Sequence, residues 1–138
     1  MPPTLNPFRA LRHRNFLLFW SGQTLSLIGT WMQSMAEGWL AFTLTRNAFL
    51  VGLVAAAQSL PILVFSLYAG VIVDRANKLR LVTICQTCFA LQSTSLWVLA
   101  WTNHITIHWL IAMATINGVI SSIEIPARQS LVIELVGR

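Results

Sequence analysis

Five polar residues of the first long apolar segment are evenly paced: Gln23, Ser26, Thr30, Gln33 and Glu37 follow one another at spacings of three, four, three and four. On a helix this pacing sets them along one stripe. In lipid such a stripe has to face other helices or water, because its hydrogen-bonding groups would otherwise be left unpaired. Two chemistries fit. Gln23, Thr30, Gln33 and Glu37 can line a cavity and contact a solute, or the stripe can be interhelical glue worth about 0.6 kcal/mol per hydrogen bond. Glu37 is its sharpest element, since an ionisable residue at the centre of a span costs roughly 2.5–3.5 kcal/mol on insertion scales and less near an interface. A deep Glu37 can carry a proton or attract a cationic solute; on a protruding helix it is an interfacial acid.

A second polar group, Thr115, Asn117, Ser121 and Ser122 around Gly118, suits close helix packing, with solute contact from Asn117 or Ser121 as the other reading. Gln86, Thr87, Gln92, Ser93, Thr94 and Ser95 make a third segment polar enough that one side of it should pack inward. Cys85 and Cys88 lie in an apolar block with no second ligand pair, so they read as small buried residues. His104 and His108 sit in a short connection and read as solvated interfacial histidines, with a pH sensor as the alternative. No nucleophile–base set, metal cluster or phosphate loop occurs in the sequence, and a lone Glu or His in a span is not an active site. The reading is therefore no enzyme, no cofactor and no metal.

The elements that carry these residues follow from composition. Hydrophobic residues make up 56% of the chain and charged ones 9%, with a mean hydropathy of +0.68. Soluble domains carry roughly 25% charged residues, so this chain lacks the charge to cover a water-facing surface. The apolar residues come in blocks that predict an all-α membrane protein of four transmembrane helices over 15–44, 48–73, 81–101 and 107–125. Pro61 is expected to kink the second span, and Pro126 to end the fourth. The first block is too long for a signal-peptide core and is expected to be retained. A cytoplasmic arm (1–14), a polar connection (74–80) and a terminal loop (126–138) complete the plan.

The net charge of +5 does not point to nucleic acid, because the basic residues sit in short clusters between apolar blocks. Arg9, Arg12, Arg14, Arg75, Lys78, Arg80, Arg128 and Arg138 fall on one side and Arg46 alone on the other, so both termini are expected in the cytoplasm. Trp20, Trp39, Trp101 and Trp109 lie near span ends, as interfacial anchors do.

The connection Gly70-Val71-Ile72-Val73-Asp74-Arg75-Ala76-Asn77-Lys78-Leu79-Arg80 carries the most specific signal. Gly70 would let the end of the second span approach another helix. Asp74 can accept hydrogen bonds from a helix N-terminus, and Arg75, Lys78 and Arg80 can pair with carboxylates at helix ends. A basic loop that only fixes topology is the other reading.

The segment resembles the loop between helices two and three of the major facilitator superfamily, G-x-x-x-D-R-x-G-R-[RK]. Gly70, Asp74, Arg75 and Lys78 match, and Asn77 stands where glycine is usual, a mild departure because Asn tolerates left-handed turns. Phe8-Arg9-Ala10-Leu11 with Arg14-Asn15-Phe16, Gly29-Thr30-Trp31-Met32-Gln33-Ser34, and Pro126-Ala127-Arg128-Gln129 resemble the enterobactin-exporter-like and macrolide-efflux-like permeases. The resemblance implies a cytoplasmic gate in which the aspartate meets the C-terminal half. It also implies that Arg75 pairs with Glu124, with Arg128 nearby. The arginine that proton-coupled drug exporters often carry in helix four has no counterpart among Ala114, Thr115 and Ile116.

Members of the superfamily have about twelve helices rocking as two halves about a midplane site. The resemblance therefore implies the N-terminal part of an exporter of a small amphipathic molecule such as a siderophore or drug, in the bacterial inner membrane. Its partners would be the lipid bilayer, the solute and protons, with no nucleic acid. Four helices make one three-helix repeat and a third of the next, so a fragment, a truncated reading frame or an incomplete gene is expected, the missing C-terminal half or a partner chain being needed for transport. A complete four-helix exporter acting as a dimer, or a non-transporting membrane subunit, are the alternatives.

Overall fold

The computed structural model describes residues 14–136, and the side chains of residues 20–133. Arg9, Arg12 and Arg138 lie outside the described residues, as do the side chains of Arg14 and Glu134. Four helices follow in order: α1 (Arg14–Thr45), α2 (Ala48–Arg75), α3 (Lys78–Trp101) and α4 (Ile107–Val136).

Two-residue hinges reverse the chain twice. Arg46 takes a left-handed φ of 49° and its N–H closes on the Phe42 carbonyl at 2.7 Å, which ends α1. Asn47 then caps α2, its Oδ1 accepting from the Phe49 N–H at 2.9 Å. Asn47→Ala leaves that N–H to water, and we expect a loss of about 1 kcal/mol, read as a lower unfolding midpoint in detergent; an unchanged midpoint would show the cap to be idle.

The second reversal is shorter than the polar stretch 74–80 suggested. Asp74 and Arg75 finish α2, Lys78 opens α3, and only Ala76 and Asn77 lie between. Asn77 does not use a left-handed turn: its φ is −70° and its Oδ1 caps α3 by accepting from the Arg80 N–H at 3.2 Å. A capping side chain lets a helix restart at once, so polarity here marks helix ends rather than a loop. At the far end of α3, Asn103 takes the left-handed conformation, φ 54°, that starts the connection to α4.

Pro126 does not end α4, which runs on to Val136. Proline removes one N–H and strains the residue before it, but packing on either side of it holds the helix together. Ala127 and Leu131, beyond the proline, are buried against Val73 and Val82. Glu124 and Arg128 form an ion pair one turn apart across it. Pro61 likewise lies inside α2.

The packing is layered. An apolar cluster of Ala41, Val54, Leu110 and Ala114 sits near the Arg46 reversal, and one of Val73, Val82, Ala127 and Leu131 near the Asn77 reversal. Between them, beside the buried Pro61, Ala69 and Cys85, lie the buried polar residues Glu37, Gln92, Asn117, Ser122 and Glu124. Most large apolar side chains point outward instead, Leu67, Phe49 and Trp101 among them. This is the pattern of a bundle solvated by lipid or by further helices, where polar groups gain most by facing inward.

Helices α2, α3 and the Ile107–Ile133 part of α4 are long and apolar enough to cross a membrane, with mean hydropathies of 2.2, 1.2 and 1.5. Helix α1 has the length, at 32 residues, but is not among them. Its polar stripe dilutes it.

Candidate functional site

The stripe of α1 bonds to α3, and the two helices run parallel in register. Ser26 Oγ donates to Gln86 Oε1 at 3.1 Å, and seven residues on Ser93 Oγ donates to Gln33 Oε1 at 2.5 Å. Ser26 and Gln33 are as far apart on α1 as Gln86 and Ser93 are on α3, the spacing of a heptad seam. Long amides rather than apolar knobs fill this seam.

Around Glu37 the seam becomes a three-helix cluster. Glu37 is 2% exposed. Gln33 Nε2 spends its two hydrogens on Glu37 Oε1 at 2.8 Å and Gln92 Oε1 at 2.9 Å. Gln92 Nε2 reaches the Met113 carbonyl of α4 at 3.4 Å. Among the described residues the carboxylate thus touches neutral groups.

Nearer the Asn77 reversal lies a second cluster. Gln86 Nε2 donates to Glu124 Oε1 at 3.3 Å, joining α3 to α4. Arg128 Nε donates to the same oxygen at 2.8 Å, and its Nη2 to the other carboxylate oxygen. The Gln23 amide, oriented by its partners, accepts from Arg128 Nε and Nη1, both at 2.9 Å, so α1 is tied in as well. A third, neutral cluster joins α2 to α4: Gln58 Nε2 and Ser121 Oγ both donate to Asn117 Oδ1, at 3.2 and 3.3 Å.

The expected cavity residues therefore do not converge on one site. Gln33 and Glu37 share the first cluster, Gln23 belongs to the second, Asn117 and Ser121 to the third, and Thr30 Oγ1 returns to the Ser26 carbonyl of its own helix. Gln92 and Ser93 do face inward. Gln58 escaped notice, although a glutamine three residues before a mid-span proline is a signal of its own.

The gate residues need three corrections. Glu124 is engaged by Arg128, not Arg75, and Arg75 lies exposed at the end of α2 with no ion pair among the described residues. An i,i+4 partner on the same helix is already in place, whereas Arg75 sits on another element. Gly70 has open space where a Cβ would stand, so it is not a point of close approach among the described residues; Gly118 is one. Asp74 is exposed, and the helix N-terminus beside it is capped by Asn77 instead. Lys78 opens α3 and Arg80 is exposed. Cys85 and Cys88 are free thiols.

A four-helix bundle with an apolar exterior and ionisable groups buried at mid-helix is an integral membrane protein. Residues 5–138 match the family described as transmembrane secretion effector. The chain belongs to that family, a branch of the major facilitator superfamily of transporters. It is also 33% identical over 118 residues to the staphyloferrin A transporter of Staphylococcus aureus, a match that covers 85% of this chain and 30% of that relative. The chain thus spans less than a third of the relative it matches. No solved structure matches it.

Proposed function

We propose that this chain forms the first wall of a secondary exporter that moves a small amphipathic solute, of siderophore or drug type, by alternating access. Both termini face the cytoplasm of a bacterial inner membrane, and the second wall comes from a C-terminal half or a partner chain. The observation that carries this reading is the half-buried polar seam of α1, with the buried Glu37 at its end. Amides and a carboxylate are costly in a membrane, and they are retained where a bundle must open and close around polar cargo or ions. Family membership supports transport, and the relative's printed name supports a siderophore as the first solute to test.

The test is export from cells that express the protein as its gene encodes it, against cells that lack the gene, using a siderophore and an amphipathic dye. We expect faster loss of one of them from the expressing cells, and roughly a tenfold slower rate with Glu37→Gln at equal membrane content. Equal retention of both solutes in the two strains sinks the export reading. Undiminished export by the variant removes Glu37 from the mechanism.

A further inference from the structure

We propose that the Glu37 cluster is a binding site for Na⁺, a place now held by the amide nitrogen of Gln33. The carboxylate is 2% exposed, and the groups facing it are Gln33 from its own helix and Gln92 from α3. Beside them stand the Ser93 hydroxyl, bonded to Gln33, and the Met113 carbonyl of α4, bonded to Gln92. None of these groups titrates. The cations described in the chain are elsewhere: Arg46 is nine residues on, beyond the end of α1, while Arg75, Lys78, Arg80 and Arg128 belong to the opposite end of the bundle. A buried carboxylate without a counter-charge is expensive, and a mobile cation supplies one.

The donor set suits a hard monovalent ion. Glu37 Oε1 and Gln92 Oε1 converge on one nitrogen, Gln33 Nε2, at 2.8 and 2.9 Å. A half-turn of the Gln33 amide withdraws that nitrogen and presents Oε1 in its stead. The Ser93 hydroxyl, which now donates to that oxygen, then accepts from the withdrawn nitrogen and holds the turned amide in place. Three oxygens from two helices, the Glu37 carboxylate and the Gln33 and Gln92 amide carbonyls, then face one another with no hydrogen between them, the arrangement a cation holds together. Oxygen donors carrying a single negative charge fit an ion of charge +1 better than a divalent one. As a binding site this rests on geometry alone; as a coupling site it also rests on the export reading.

The experiment measures binding, so it is independent of transport. Unfolding midpoints of the detergent-purified protein, as its gene encodes it, are compared in NaCl and in N-methylglucamine chloride at equal ionic strength and several pH values. We expect Na⁺ to raise the midpoint by about 3 °C or more in the wild type and to have no effect in Glu37→Gln. Ser93→Ala and Gln92→Leu, which keep the carboxylate, should weaken the Na⁺ response and stand in if Glu37→Gln does not fold. A wild-type midpoint indifferent to Na⁺ overturns the proposal. So does one that follows pH alone, since the occupant is then a proton, or a Na⁺ response that survives in every variant.

Discussion

Gly118→Ala is expected to destabilise the bundle by about 2 kcal/mol, although alanine is the better helix former by about 0.8–1.0 kcal/mol. Helices α2 and α4 cross at this glycine. A methyl group there would stand 2.2 Å from the Gln58 carbonyl oxygen, 3.0 Å from its carbon and 3.2 Å from Pro61 Cγ. The obstacle is backbone and a rigid ring, not the end of a flexible side chain, so one helix has to move. That movement also pulls Gln58 from Asn117, breaking the α2–α4 polar contact. The control is Gly52→Ala on α2, where an added methyl meets nothing within 4 Å and the propensity gain should show. Unfolding midpoints in detergent decide the matter: a Gly118→Ala protein as stable as its Gly52→Ala counterpart would mean that the helices do not touch there.

The second large effect is expected at the ion pair that straddles Pro126. Arg128→Ala strands the Glu124 carboxylate, 1% exposed, with Gln86 as its remaining partner. Breaking a buried pair from one side costs 3–5 kcal/mol in soluble proteins. Because Arg128 is a quarter exposed, we expect about 3 kcal/mol here. The same substitution cuts the tie to Gln23 and removes the bridge across the proline, so amide exchange should speed up over residues 129–136. The double variant Glu124→Gln with Arg128→Gln removes both charges and should cost clearly less than the sum of the two single changes. Additive losses, or unchanged exchange beyond Pro126, would show that the pair does not hold this helix.

These contacts divide the bundle by the kind of packing that holds it. The α2–α4 crossing is tight and backbone-limited, whereas α1 meets α3 through amides and hydroxyls and reaches α2 and α4 through the apolar packing of Ala41 as well.

Some of this the amino-acid sequence determined by itself. Helix, apolar surface and the stripe of α1 are local properties: block length sets the helices, and the pacing of Gln23, Ser26, Thr30, Gln33 and Glu37 sets one face whatever lies opposite. The family was legible as well, since its marks are contiguous runs of residues. Tertiary structure alone decided what the stripe meets. Gln33 and Ser93 are 60 positions apart, as are Ser26 and Gln86, and only the parallel register of α1 and α3 brings them within a hydrogen bond. It also decided that α4 continues through Pro126, because burial of Ala127 and Leu131 offsets a local penalty that the sequence shows without its compensation. For the same reason Arg75 lost Glu124 to Arg128: a charge pairs with whatever the fold sets nearest, and in this bundle that is the next turn of its own helix.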